Sequence, residues 1–416
     1  MKPIPYGRQH ITEDDIEAVV RVLKSDFLTQ GPEIREFEKN FASYVGADYA
    51  VAVSNGTAAL HLAVLSLNIQ PGDRVITTPN TFAASANCVR YAGGEVVFAD
   101  IDPQTYCLDV ACVRELLEAA PKGTYKGIIL VDFAGYAINM EPFRQLANEY
   151  GLWIIEDACH APGGYFIDSN GSKQLCGNGK FADLTVFSFH PVKHIACGEG
   201  GMITTNDETH YKNLLMLRTH GITKDIHAFR NSNEVAYGVQ PETLNFATKG
   251  SPDSSGEPET FPGWYYEMQE LGFNYRLTDF QAALGSSQLK RADDGLKRRK
   301  EIAQTYFAAL KEKPFIKGQS GVVDGHAYHL YVIEVENRKG LYGHLRANDI
   351  FVQIHYVPVH LMPYYKQFGW KEGDFPQVEK YYSQCISLPM YPNLTDEEQK
   401  FVINCIDHFY AGNDSK

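Results

Sequence analysis

The sequence has no CxxC pair and no cysteine or histidine set at zinc-ligand spacing, although it carries eight cysteines. That excludes a zinc ribbon or a disulfide scaffold. The thiols at 88, 107, 112, 159, 176, 197, 385 and 405 read as reduced cysteines of a cytoplasmic protein. Positive charge is scarce: 38 Lys and Arg stand against 51 Asp and Glu, a net charge of −13. This argues against nucleic acid or an anionic membrane surface as partner, while an anionic ligand can still meet a locally positive site. No run approaches the ~20 apolar residues of a membrane span. The opening MKPIPYGRQHITEDD lacks the apolar stretch of a signal peptide. No GxGxxG follows the first strand-like run, which excludes a nicotinamide dehydrogenase. What remains is a globular chain of 416 residues, 44% hydrophobic and 21% charged, long enough for two domains.

The apolar pattern alternates between strand and helix through the first half. Helices are expected over 12–24, where Thr12 and Asp15 resemble a capping box and Ile16, Val19, Val20 and Leu23 follow helical spacing, and again from Gly31-Pro32 to a C-cap at Gly46. Strand-like runs follow at Tyr49–Ser54, Arg74–Pro79, Glu95–Ile101, Gly127–Val131, Leu152–Glu156, Thr185–Phe189 and Met202–Thr205, with helical stretches between them. Val- and Ile-rich strands separated by helices imply an α/β fold with a mostly parallel sheet, whose site lies at the carboxyl ends of the strands. Residues 231–262 are rich in Ser, Gly, Pro and Asn and read as a lid or functional insertion. Beyond the helix Leu277–Leu289 the pattern becomes α+β, with strands at Tyr328–Val335 and Val352–Tyr356 and a last helix at Asp396–Tyr410. We therefore divide the chain into a large domain, 1–290, with an N-terminal arm, and a small domain, 291–416.

Four segments at strand ends carry chemistry. Ser54-Asn55-Gly56-Thr57-Ala58 opens a helix, and free amides at a helix start favour phosphate; a plain strand–helix turn looks the same. Thr81-Phe82 offers an aromatic that could cover a flat ring, or a core Phe. Glu156 and Asp157 end a buried strand, and a buried Asp needs a cation, a donor or a capping role. Lys193 follows an apolar strand in a turn leading to Gly198-Glu199-Gly200-Gly201, and a partly desolvated lysine becomes a nucleophile toward carbonyls. His190 and His194 are four apart, but no carboxylate completes a metal motif, so no metal is expected.

Taken together, SNGTAALHLA, TPNTFAASAN, IIEDACHAPGG, FSFHPVKHIACGEGGM, LGFNYRLTDFQAALGSSQL and IHYVPVHLMPYY resemble the DegT/DnrJ/EryC1/StrS sugar aminotransferase family, in order and across nearly the whole chain. The resemblance implies pyridoxal 5′-phosphate fold type I, the aspartate-aminotransferase-like α/β architecture, and a homodimer with shared active sites. It assigns Lys193 as the lysine that holds the cofactor and moves the proton, and Asp157 as partner of the pyridinium nitrogen. Phe82 would stack on the ring. Thr57 and Ala58 would give amides, and Ser188 its hydroxyl, to the phosphate. Asn274 would reach the phosphate in the other subunit. His160 stands where many relatives carry Gln, near the ring hydroxyl. Tyr6, Arg8, His355 and Tyr356 are candidates for the substrate.

Within the family, IPYGRQHITEDDIEAVV, LKSDFLTQGP, EDACHA and FHPVKHIACGEGG resemble the 4-aminotransferases of the pseudaminic-acid route. That implies transfer of an amino group from glutamate to C4 of a UDP-linked 4-keto-6-deoxy-N-acetylhexosamine. The alternatives are a nucleotide keto-sugar of the bacillosamine or legionaminic acid routes, a dTDP-sugar, a sugar dehydratase, or a non-catalytic regulator. Related dehydratases carry His in place of the lysine, and Lys193 favours transamination.

Overall fold

The computed structural model describes residues 2–238 and 261–412. Residues 239–260, most of the 231–262 insertion, lie outside the described residues. Contacts divide the chain into two compact units: Met1–Tyr211 with Arg276–Lys416, and Lys212–Tyr275.

In the first unit a seven-stranded sheet is built from β1 (Tyr49–Val53), β2 (Arg74–Thr77), β3 (Glu95–Phe98), β4 (Tyr125–Val131), β5 (Trp153–Asp157), β6 (Leu184–Ser188) and β7 (Gly201–Thr205). Their order across the sheet is β1-β7-β6-β5-β4-β2-β3. All neighbours are parallel except β7, which runs antiparallel to both β1 and β6. The strands β5, β6 and β7 are buried almost end to end, which is why their sequences show no regular alternation of buried and exposed positions. This is the expected mostly parallel α/β architecture.

The helices between strands are α1 (Glu13–Leu23), α2 (Pro32–Val45), α3 (Gly56–Ser66), α4 (Ala84–Tyr91), α5 (Val110–Glu118) and α6 (Glu141–Tyr150). Helix α2 starts on a proline, whose fixed φ suits a first turn, and ends at Gly46 in the left-handed region at φ 82°. It buries Ile34, Phe37, Phe41 and Val45 in a cluster with Phe187, Phe189 and Met202. Each fully buried phenylalanine contributes roughly 1.5–3 kcal/mol. Helix α1 differs from the spacing argument. It seats Asp15, Ala18 and Val22, and leaves Ile16, Val20 and Leu23 exposed. The reason is Asp15, which is fully buried and accepts from the Thr12 amide at 2.9 Å, the Gln288 side chain at 2.8 Å and the Arg291 guanidinium. That network turns the polar residue inward and the apolar stripe out.

After α7 (Asp279–Leu289) and α8 (Ala292–Leu310), β8 (Ile316–Gln319), β9 (Tyr331–Val335) and β10 (Cys385–Leu388) form an antiparallel three-stranded sheet. Its core joins Ile302, Tyr306, Ile333, Ile386, Val402 and Ile406, the last two from α9 (Asp396–Ala411). The expected strand at Val352–Tyr356 is replaced by a shorter one at Ile350–Phe351, paired with Ile4–Pro5. At Gln353 the chain changes partner and exchanges hydrogen bonds with Ser387 instead. The following residues leave both edges and carry His355 and Tyr356 as irregular backbone.

In the second unit, Ile222–Thr223 pairs with Glu267–Met268, and Glu267 accepts from the amides of Arg230 and Asn231 at 2.7 and 2.9 Å. No helix of the described residues is long and apolar enough to cross a membrane.

Candidate active site

Strand β5 ends in Asp157, which is 6% exposed. Its Oδ2 accepts the Ser85 hydroxyl at 2.6 Å, and its Oδ1 accepts the Cys159 amide at 3.2 Å. Ser85 is itself linked to the Thr81 hydroxyl at 2.8 Å. Asp157 is thus held by the start of α4, two donors fixing a carboxylate that burial would otherwise penalise. Its neighbour Glu156 points to the other face, where it accepts from the Gly177 amide and the Thr185 hydroxyl. There, Asp132, Glu156 and Cys176 are buried with one ligand-type atom each within 4.8 Å of one another. Burial, and then the nearby Glu156, push the Asp132 carboxyl well above its usual range.

Strand β6 ends in Ser188, and the chain loops to β7 with both ends pinned at Phe189: its amide donates to the Gly200 carbonyl at 2.8 Å, and its carbonyl accepts from Cys197 at 2.9 Å. Lys193 stands in this loop, its amide bonded to the His190 carbonyl at 2.8 Å. Burial lowers the Lys193 amine from its usual value; Cys159 and Asp157 pull it back up, and Arg299 adds to the lowering. A larger neutral fraction is what a nucleophilic lysine needs.

Three segments meet at Gly56. A Cβ there would lie 3.0 Å from the Ser188 Cβ, 3.3 Å from its Oγ and 3.6 Å from the Cys159 Sγ. Gly201 lies opposite Val53 on one side and Ser188 on the other, and a Cβ on it would come 2.5 Å from the Asn55 carbonyl. The first turn of α3 therefore lies against the Ser188 hydroxyl. Within that turn the Ala58 amide already donates to the Asn55 side chain at 2.8 Å. Gly56 and Thr57 hold the other first-turn amides, for which a helix has no internal acceptor.

Phe82 is 61% exposed, and its ring centroid is 6.2 Å from that of Tyr356. His160 is buried, and burial lowers it well below its ordinary value, helped by Lys193, His355 and His194. Its Nδ1 accepts the Ala134 amide at 3.2 Å, its Nε2 lies 3.2 Å from the Tyr356 hydroxyl, and its ring is 4.2 Å from that of His329. His355 is turned inward, with Nδ1 2.8 Å from the Ser387 hydroxyl. Tyr6 packs on it at 5.2 Å, and Arg8 is exposed. Asn274 belongs to the Lys212–Tyr275 unit, exposed and bridged to Thr219.

The sequence profile of the DegT/DnrJ/EryC1/StrS aminotransferase family matches residues 9–407. The chain belongs to that family. As a DegT-family aminotransferase it is 37% identical to the spore coat polysaccharide biosynthesis protein SpsC of Bacillus subtilis, over 99% of this chain and 98% of that protein. It is 32% identical to the UDP-4-amino-4,6-dideoxy-N-acetyl-beta-L-altrosamine transaminase of Campylobacter jejuni, over 96% and 95%. Its fold matches Helicobacter pylori PseC, an aminotransferase of pseudoaminic acid biosynthesis, at a TM-score of 0.82 and 27% identity, covering 99% of this chain and 100% of that one. The fold is that of the pyridoxal-phosphate aminotransferases, and pyridoxal phosphate is the cofactor of the family.

The residues present fit that cofactor. A cradle that a Cβ on Gly56 would fill, two first-turn amides and the Ser188 hydroxyl suit a phosphate. A fixed buried carboxylate suits a ring N–H, an exposed phenyl suits a flat ring, and a lysine of lowered basicity suits an aldehyde. Sequence reasoning missed Ser85, although its spacing of four from Thr81 in TFAAS was a legible helical pair. It also missed Arg299, buried in α8 and donating to the carbonyls of Tyr328, His329 and Met390 at 3.1, 3.4 and 2.9 Å. Burial brings that guanidinium down to about 10. Nothing local in KRRKE marks which arginine goes inside.

Proposed function

We propose that this DegT-family aminotransferase moves the amino group of glutamate to C4 of a UDP-linked 4-keto-6-deoxy-N-acetylhexosamine, as a step toward pseudaminic acid. The observation that supports the chemistry is that Lys193, in the loop after β6, feels the Asp157 carboxylate at the end of the adjacent β5, while burial lowers its basicity. The likeness to the Campylobacter transaminase and to PseC supports the sugar.

Pyridoxal phosphate supplies an electron sink that lets a C–H bond beside nitrogen ionise. Lys193 attaches the cofactor, and in each half-reaction its freed amine takes a proton from one carbon and returns it to another. Asp157, clamped by Ser85, keeps a proton on the ring nitrogen. Ser188 with the Gly56 and Thr57 amides anchors the phosphate. Phe82 would cover one face of the cofactor ring, and His160 would stand near its oxygen edge. Glutamate leaves as the 2-oxo acid in the first half, and the C4 ketone takes up the amine in the second. Tyr6, Arg8, His355 and Tyr356 would be the residues on the sugar side.

We propose further that two copies pair, so that Asn274 serves the phosphate of the other copy. The exposed apolar stripe of Ile16, Val20 and Leu23 on α1, continued by Phe27 and Leu28, supports such pairing. Eight unpaired cysteines fit a reducing, cytoplasmic compartment.

The 37% identity to SpsC favours a second reading, a different nucleotide keto-sugar on the same machinery. Purified protein with glutamate and a panel of UDP- and dTDP-4-keto-6-deoxy sugars separates them, the C4 configuration being read by NMR. Amination of the UDP-N-acetyl-β-L-arabino ketone supports pseudaminic acid. Preference for the D-xylo ketone or a dTDP-sugar supports the second reading.

A further inference from the structure

The Ala134 amide can only donate, so the His160 Nδ1 that receives it at 3.2 Å carries a lone pair. In a neutral imidazole the proton then sits on Nε2. That nitrogen lies 3.2 Å from the Tyr356 hydroxyl, so His160 is the donor and the phenol oxygen the acceptor. A phenol oxygen that accepts from one side must send its own proton elsewhere. Among the described residues the Tyr356 oxygen has no polar partner besides His160. Its ring lies among those of His355, Phe133, Phe82 and His160, with centroids 4.9, 6.1, 6.2 and 6.2 Å away, and the Asp157 carboxylate is near enough to act on its hydroxyl, which places Tyr356 beside the candidate site.

We propose that His160 locks Tyr356 as a one-way hydrogen-bond donor, and that Tyr356 gives this bond to an oxygen acceptor of the bound ligand, either the ring oxygen of the cofactor or an oxygen of the keto-sugar. The chain Ala134 amide, His160, Tyr356, ligand then runs in one direction, each member donating to the next. His160 is a positioning residue in this arrangement, and its tautomer is fixed by backbone. This rests on the reading of the site as an aminotransferase centre. It explains why a histidine can stand where glutamine is common: both accept a backbone amide through one atom and donate through another.

Two measurements test it. Nitrogen-15 NMR of the cofactor-free protein, made with labelled histidine and assigned by His160→Gln, reads the tautomer directly. The expected result is a protonated Nε2; a protonated Nδ1 overturns the proposal. The second is a set of variants, checked for folding by thermal melt. Tyr356→Phe is expected to lose about tenfold either in affinity for pyridoxal phosphate, titrated into cofactor-free protein, or in KM for the keto-sugar. The first loss assigns the cofactor oxygen, the second a sugar oxygen. His160→Leu should lose as much as Tyr356→Phe, the double variant no more than either, and His160→Gln should recover most of it. Tyr356→Phe with both constants within about twofold of the parent overturns the proposal. If no keto-sugar is aminated, the proposed function fails, while the tautomer and the cofactor titration still judge the donor relay.

Discussion

Ser85 gives its hydroxyl to Asp157 at 2.6 Å, joining the first turn of α4 to the end of β5. The bond fixes which oxygen of the carboxylate is occupied and which way its plane faces. Hydrogen bonds to a charged group are worth about 1.5–3 kcal/mol. Ser85→Ala should therefore reduce affinity for pyridoxal phosphate by roughly tenfold or more, with a parallel fall in kcat/KM. Titration of cofactor-free protein checks this, and an unchanged affinity would show that Asp157 needs no such clamp.

Lys193→Ala should abolish turnover and leave only weak cofactor retention. Lys193→Arg should do the same, because a guanidinium stays protonated where the amine must be neutral. Absorbance of bound cofactor and single-turnover product analysis are the readouts. Normal turnover in either variant would sink the assignment.

Gly201→Ala should destabilise the protein by about 1–3 kcal/mol, because the new Cβ would meet the Asn55 carbonyl, which is backbone and cannot swing aside. Gly295→Ala, inside helix α8 with only ordinary contact to Pro392, should instead stabilise by about 0.5–1 kcal/mol. Thermal or urea unfolding of the two variants should show shifts of opposite sign.

Stability should fall on acidification below the ordinary histidine range. His326 and His355 are buried, and desolvation takes both down to about 3 from 6.5. Between those values the unfolded chain binds protons that the folded chain refuses, so stability is full above 6.5 and lost as pH falls toward 3. The slope is about 1.4 kcal/mol per pH unit for each such histidine. Urea midpoints at a series of pH values measure it. His326→Gln should flatten the curve, and an unchanged slope would show that His326 titrates freely when folded.

The sheet was legible because its strands are mostly buried and rich in Val and Ile between helical stretches; β5 and β7 were read to within one residue at each end. The α2 helix was readable from its proline and Gly46. Helix α1 misled, since the apolar spacing was real but a buried Asp15 decided which face goes inward. Residues 352–356 read as a strand by composition, whereas partner exchange at Gln353 ends the pairing, a tertiary event with no local mark. In the site, the strand-end segments were visible because their residue types are unusual there. The Asn55 side chain that occupies the Ala58 amide, the Ser85 clamp and the His160–Tyr356 contact depend on side-chain direction across distant segments.

The position of β7 sets an order of events during synthesis. In the sheet β1 has β7 as its one neighbour, and β7 is the last of the seven strands to be made. Until residue 205 has left the ribosome, the first strand has no sheet edge to join. The parallel strands β2 to β6 can assemble earlier, without it. A nascent chain stopped before Gly201 should therefore display β1 as an unpaired, apolar strand, which makes this segment a natural client for chaperones and the first place for two unfinished chains to misjoin.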